Sequence, residues 1–190
     1  MNFDIIDLVY IVYNKLPKKR FIHTIGVVKT AEKLAEIYGA PKDNIIKAAL
    51  LHDICKYTSM NYMKKICEEK FSDDLTYEDL KNDEILHGFM AAYWVENKLN
   101  IKDEEILNAI KYHTIGSKKM SISSKIIYIA DGIEPGRNYD TVDKLRKLAF
   151  EDINLAIYTE IEEKEKYLKS LGKKLHKNTV AMREELLPLI

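Results

Sequence analysis

Apolar residues recur at spacings of three and four along almost the whole 190-residue chain, and no segment alternates apolar with polar residues between turn signals. The first pattern confines the chain to helices, and the second leaves nothing from which to build a sheet. Glycine (7) and proline (4) are scarce, so little of the chain is available for long loops. The expected fold is all-α: a single-domain helical bundle over residues 1–190, long enough to bury one continuous core. A first helix carries Phe3, Ile6, Val9, Val12, Tyr13 and Leu16 as its apolar stripe and stops at Pro17. A second runs from about Lys19 to Tyr38 with Ile22, Ile25, Val28, Ala31 and Leu34 as its apolar face, and Gly39 follows as a C′ residue. A third, after Pro41, carries Ile45, Ala48, Ala49 and Leu51 up to His52. Further helices are predicted across Asn61–Glu69, Asn82–Lys98, Asp103–His113, Ser123–Ile133, Thr141–Ala149, Asp152–Leu171 and Asn178–Leu187. The long helix at Asp152–Leu171 can pack internally or against a second copy of the chain in a homodimer. The least helical stretches are Phe71–Lys81, Thr114–Ser121 and Glu134–Asp140.

Charge narrows the partners. Lys and Arg number 30 against 30 Asp and Glu, and this balance argues against a general nucleic-acid binder, which carries a basic excess. No run approaches the ~18 apolar residues of a membrane span. The start, MNFDIIDLVYIVYNKLPKKR, is interrupted by Asp4 and Asp7 and lacks a basic n-region and a small-residue cleavage site. A cytoplasmic location is expected. Cys55 and Cys67 form no CxxC pair and suit a reducing compartment, where both read as core packing.

Four of the five histidines fall in one series: His23, His52 next to Asp53, His87 and His113, followed by Asp131. Each lies in or beside a helical stretch whose apolar face must enter the core. Taken singly, each has a bland alternative. His23, between Ile22 and Ile25, suits a hydrogen-bonded core histidine; His113 suits a C-terminal helix cap; His52-Asp53 suits a core histidine beside a surface carboxylate. Taken together, four imidazoles and two carboxylates converging on one core suit paired borderline-hard ions such as iron, manganese or zinc. A His-Asp dipeptide can serve two ions, its carboxylate bridging them. Such a pair of ions is a hydrolytic centre for phosphate esters and anhydrides.

The flanking residues make the chain similar to a known family. HDICK (His52–Lys56), LHG with AAYWV (Leu86–Gly88, Ala91–Val95), YHTIG (Tyr112–Gly116) and ADGIEPGR (Ala130–Arg137) resemble motifs of the HD superfamily of metal-dependent phosphohydrolases. Within it they resemble the YqeK-type branch, the symmetrical diadenosine tetraphosphate hydrolases. ADGIEPGR is the most specific element. The resemblance implies an iron-preferring dinuclear site, with one ion on His23, His52, Asp53 and Asp131. The other ion falls to His87 and His113, and Asp53 bridges the two. It implies symmetrical hydrolysis of the dinucleotide to two ADP by a metal-bridged hydroxide, with Asp53, His52 and Lys56 in catalytic roles. Arg20, Lys56, Thr114 and Arg137 are then contacts to the nucleotide or its phosphates, near Asp53, His87, His113 and Asp131. The C-terminal LHKNT adds His176 and Thr179. Bland alternatives stand beside these: Arg20 in a surface run with Lys18 and Lys19, an exposed Lys56, and Thr114 as a helix terminator. A phosphohydrolase of the same family acting on another nucleotide, and a non-catalytic nucleotide-sensing module, are the competing readings.

Overall fold

The computed structural model describes residues 3–190, and among them there are ten α-helices, two 3-10 turns and no strand. The helices are α1 (Ile5–Lys15), α2 (Lys18–Tyr38), α3 (Lys42–Leu51), α4 (Met60–Lys70), α5 (Asp83–Leu99), α6 (Glu104–Tyr112), α7 (Ile122–Ile133), α8 (Val142–Glu151), α9 (Ile153–Ser170) and α10 (Lys177–Leu186). The 3-10 turns are Asp79–Lys81 and Leu187–Leu189.

Local chemistry sets the ends of these helices. Asp4 and Asp7 form a reciprocal capping box on α1, and the side chains of Asp103 and Asp152 accept from the first free N–H groups of α6 and α9. Gly39 closes α2 at φ 66°, a left-handed conformation that glycine adopts without a Cβ penalty, as its predicted C′ role requires. α2, α3, α6 and α7 pack around one another, and α5 lies along α6. Leu50, Leu51, Leu86, Phe89, Ile110, Ile126 and Ile129 fill the space between them. α9 buries Ile153, Ala156, Ile157 and Ile161 within the chain, packed against α7, α8 and α10.

Two apolar faces differ from their sequence patterns. On α1 the buried residues are Leu8, Val12 and Leu16, while Ile6 and Tyr13 point to solvent. That helix is apolar on nearly every side, so several stripes fit its sequence and only packing against α3 selects one. On α2, Ile22 is 60% exposed, and the buried face runs through Thr24, Val27, Thr30, Ala31, Leu34 and Ala35. Two threonines occupy buried positions because their hydroxyls donate back to the carbonyls of Arg20 (3.0 Å) and Gly26 (3.1 Å). Such satisfied threonines are invisible to a purely apolar pattern.

Candidate metal centre

The mutually packed helices deliver the whole series to one place. His23 comes from the first turns of α2, His52 caps α3 with Asp53 in the turn after it, and His87 lies one turn into α5. His113 caps α6 and Asp131 lies near the end of α7. Gly88 permits the approach of α5 to α6: a Cβ there would sit 2.8 Å from the Lys111 carbonyl oxygen. His87 Nε2 consequently lies 3.0 Å from His113 Nε2. The Asp53 carboxylate, 2% exposed as a residue, is the hub of the cluster. Its Oδ2 lies 3.2 Å from His52 Nε2 and 3.6 Å from His23 Nε2, and its Oδ1 lies 3.2 Å from His87 Nε2. Asp131 Oδ1 sits 3.1 Å from His23 Nε2.

The other ring nitrogens reveal which one carries the proton. His52 Nδ1 donates to the Ala49 carbonyl at 2.7 Å, His113 Nδ1 to that of Ile110 at 2.7 Å, and His87 Nδ1 to that of Asp83 at 3.2 Å. A carbonyl oxygen can only accept, so Nδ1 is protonated in all three. His23 Nδ1 faces Glu134 Oε1 at 3.1 Å in the same way. The Nε2 atoms of His23, His52 and His87 therefore face the two carboxylates, and that of His113 lies against His87 Nε2. The Nε2 atoms of His23 and His52 are buried and make no hydrogen bond of acceptable geometry. Lone pairs facing carboxylate oxygens repel unless a proton or a cation sits among them, and an acceptor on the far ring nitrogen is the usual support of a metal-bound histidine. Two groups, His23–His52–Asp131 and His52–Asp53–His113, bring their donor atoms within 4.8 Å of one another. This donor set of imidazoles and carboxylates fits a divalent metal.

The surrounding groups hold both carboxylates in their charged form. Burial pushes the Asp53 carboxyl up, but the charge and hydrogen bond of His52 and the hydrogen bond from His87 outweigh it and hold Asp53 well below its usual range. Asp131 is likewise held low: burial is outweighed by the His23 hydrogen bond and the charges on His52 and Arg137. Burial pulls His52 down, yet the adjacent Asp53 raises it overall. His113 is pushed down to about 3, by burial first and then by His87 and His52, so it stays neutral and cannot serve as an imidazolium cap at ordinary pH. Each carboxylate carries one guanidinium: Arg20 Nη1 lies 2.9 Å from Asp53 Oδ2, and Arg137 Nη2 lies 2.6 Å from Asp131 Oδ1.

The remaining predicted contacts divide. Arg20 and Arg137 line a cleft of about 940 Å³ that opens beside His23, together with Lys19, Lys29, Tyr57 and the exposed Ile22. Thr114 places its hydroxyl 3.1 Å from His113 Nε2. Lys56 instead reaches Glu84, in the first turn of α5, at 2.5 Å. His176 caps α10 through Nδ1 and turns Nε2 to Asp79 Oδ1 at 3.2 Å. The buried Thr179 donates its hydroxyl to the Ile115 carbonyl at 2.7 Å. In this conformation His176 and Thr179 tie the C-terminal segment to the loops beside the centre. Glu134 is not among the residues predicted for the site, although it lies inside the GIEPGR motif that contains Arg137. It is buried between α2 and the turn after α7.

A helical scaffold whose converging helices present imidazoles and carboxylates to a basic cleft defines a metal-dependent hydrolase. Residues 20–136 match the HD domain model, and the chain belongs to that family. Among its relatives, a protein of Halalkalibacterium halodurans named symmetrical bis(5'-nucleosyl)-tetraphosphatase is 38% identical, over 90% of this chain and 91% of the relative. A Staphylococcus aureus protein of the same name is 45% identical over 72% of this chain and 69% of its own length. A crystal structure from Clostridium acetobutylicum, described as a "predicted HD superfamily hydrolase involved in NAD metabolism", superposes with a TM-score of 0.93 at 37% identity, covering both chains completely.

Proposed function

We propose that this chain is a symmetrical bis(5'-nucleosyl)-tetraphosphatase that hydrolyses diadenosine tetraphosphate to two ADP. The observation that carries the reading is the gathering of four imidazole Nε2 atoms and two carboxylates into one cluster, whose carboxylates pair with two guanidiniums that line an open basic cleft. The names of relatives similar over most of the chain supply the substrate class.

In this reading His23, His52, Asp53 and Asp131 would hold one ion, and His87 and His113, with Asp53, would hold a second. Iron is the favoured metal, with manganese and zinc matching the same donors. When bound, the ions make a nucleophile from water at neutral pH and neutralise phosphate charge.

The chain's own groups do the rest. Arg20 and Arg137 leave their carboxylate partners for the non-bridging phosphate oxygens, where a planar fork binds in bidentate fashion. Asp131 also accepts from Arg137 Nε through its main-chain oxygen at 2.8 Å, so the guanidinium stays anchored while its outer nitrogens reach the substrate. Thr114 adds a hydroxyl at the His113 side of the cluster. Lys56 sits in the turn after Asp53 and pairs with the exposed Glu84; in this reading it exchanges that partner for a phosphate. The departing ADP is a stable anion and asks little of a general acid. Metal-reconstituted protein incubated with diadenosine tetraphosphate, with products resolved by chromatography, tests the proposal: ADP alone supports it, and ATP with AMP refutes it.

A further inference from the structure

The four clustered imidazoles are not supported alike. His52, His87 and His113 donate to main-chain carbonyls three or four residues earlier in their own helices. His23 donates to a side chain that is 111 residues away in sequence, Glu134. Two glycines make room for that carboxylate. A Cβ on Gly26, one turn beyond His23, would overlap Glu134 Oε2, and a Cβ on Gly136 would lie 2.8 Å from Oε1. Oε2 accepts the Gly136 N–H at 2.6 Å. Among the described residues no lysine or arginine forms an ion pair with this carboxylate, whose residue is 4% exposed. A buried carboxylate without a cation is expensive, and a metal ion acting through His23 offsets that cost.

Glu134 is also the root of the turn that carries Arg137. Its carbonyl accepts the Arg137 N–H at 2.9 Å and Arg146 Nη2 at 2.9 Å. One residue therefore touches the support of a metal ligand with its side chain and the support of a phosphate-binding guanidinium with its backbone and side chain.

We infer that Glu134 is a positioning residue: it holds the His23 ring with Nε2 turned to the ion and sets the turn that presents Arg137 to substrate. This rests on the metal-centre reading. A carboxylate acceptor fixes the imidazole tautomer as a carbonyl does, and in addition makes the ring a stronger ligand. Glu134 borders the cleft, but its two carboxylate oxygens are taken up by His23 Nδ1 and the Gly136 N–H.

The test is Mn²⁺ binding to the full chain, read from the electron paramagnetic resonance of the free ion, alongside the thermal midpoint. Glu134→Ala is expected to weaken Mn²⁺ affinity by about 10–100-fold, the range for loss of an acceptor that supports a ligating histidine. Glu134→Gln recovers part of that loss, because its single oxygen can replace one of the two that His23 and Gly136 use. Gly26→Ala keeps the carboxylate but displaces it, so it is expected to weaken affinity as well, and it serves if Glu134→Ala fails to fold. At saturating Mn²⁺, Glu134→Ala also raises KM for the dinucleotide several-fold through the loosened Arg137 turn. Wild-type Mn²⁺ affinity in Glu134→Ala and Gly26→Ala, whatever their melting temperatures, overturns the His23 half of the inference, and an unchanged KM overturns the Arg137 half. A wild-type chain that binds no Mn²⁺ overturns the metal centre itself.

Discussion

Replacing Asp53 with asparagine probes the cluster at its hub. The side chain keeps its size and one oxygen but loses its charge, so packing around Leu50, Leu51 and Ile54 is preserved. In the parent structure both carboxylate oxygens have nitrogen neighbours: Arg20, His52 and His23 around Oδ2, and His87 at Oδ1. Two unit charges 4 Å apart at an effective dielectric near 20 interact by about 4 kcal/mol. Losing that much attraction for a cation corresponds to roughly a thousandfold weaker binding, at about 1.4 kcal/mol per decade. The assay is isothermal titration of the metal-free variant with Mn²⁺, with turnover measured at matched metal occupancy. Circular dichroism checks that helix content is retained. The expected result is metal affinity down by about three decades and turnover lost even where some ion remains, since the shared ligand is gone. A variant with parental affinity and measurable turnover refutes Asp53 as a ligand, and with it the shared-carboxylate arrangement.

Other perturbations separate substrate binding, packing and thiol chemistry. Arg137→Ala removes a charge-assisted contact of about 1.5–3 kcal/mol, so KM should rise roughly 10–100-fold with metal content intact, and lysine should rescue it poorly; an unchanged KM removes Arg137 from the substrate site. Gly88→Ala forces a Cβ to 2.8 Å from the Lys111 carbonyl, where backbone cannot yield cheaply. It should destabilise by about 1–3 kcal/mol, as overpacking does, and weaken Mn²⁺ binding by parting His87 from His113; calorimetry showing an unchanged melting temperature contradicts that. Burial pushes the Cys55 thiol up to about 11 and the Cys67 thiol up to about 12. A raised thiol pKa means less thiolate below it, so at pH 8 the native chain should react with iodoacetamide at least about a hundredfold more slowly than the unfolded chain. Mass spectrometry showing equal labelling of native and unfolded protein contradicts the burial of these thiols.

Much of this was legible in the sequence because helical spacing and ligand chemistry leave local marks. His52-Asp53 at the end of an apolar run, His113 at a helix end and Gly88 beside His87 each announce a position where a side chain or a backbone is forced close to another. The stripe of α1 was not legible, because Ile6, Tyr10 and Tyr13 are as apolar as the residues that are buried, and only the neighbouring α3 chooses between faces. Ile22 departs from the apolar pattern for the complementary reason: Thr24 and Thr30 satisfy their hydroxyls within α2 and take the buried positions. The pairing of Glu134 with His23 spans most of the fold, and nothing local to either residue encodes it. The engagement of His176 with Asp79 is likewise a tertiary contact between two loops, visible only once the C-terminal segment is folded back.

Turnover of diadenosine tetraphosphate by the metal-loaded full chain, with every nucleotide product quantified by ion-exchange chromatography, bears most directly on the account. It predicts ADP as the sole product at two per substrate, with activity lost on chelation and restored by iron or manganese. ATP and AMP in equal amounts, inorganic phosphate released from a nucleoside monophosphate in preference to this substrate, or activity indifferent to chelation would contradict it.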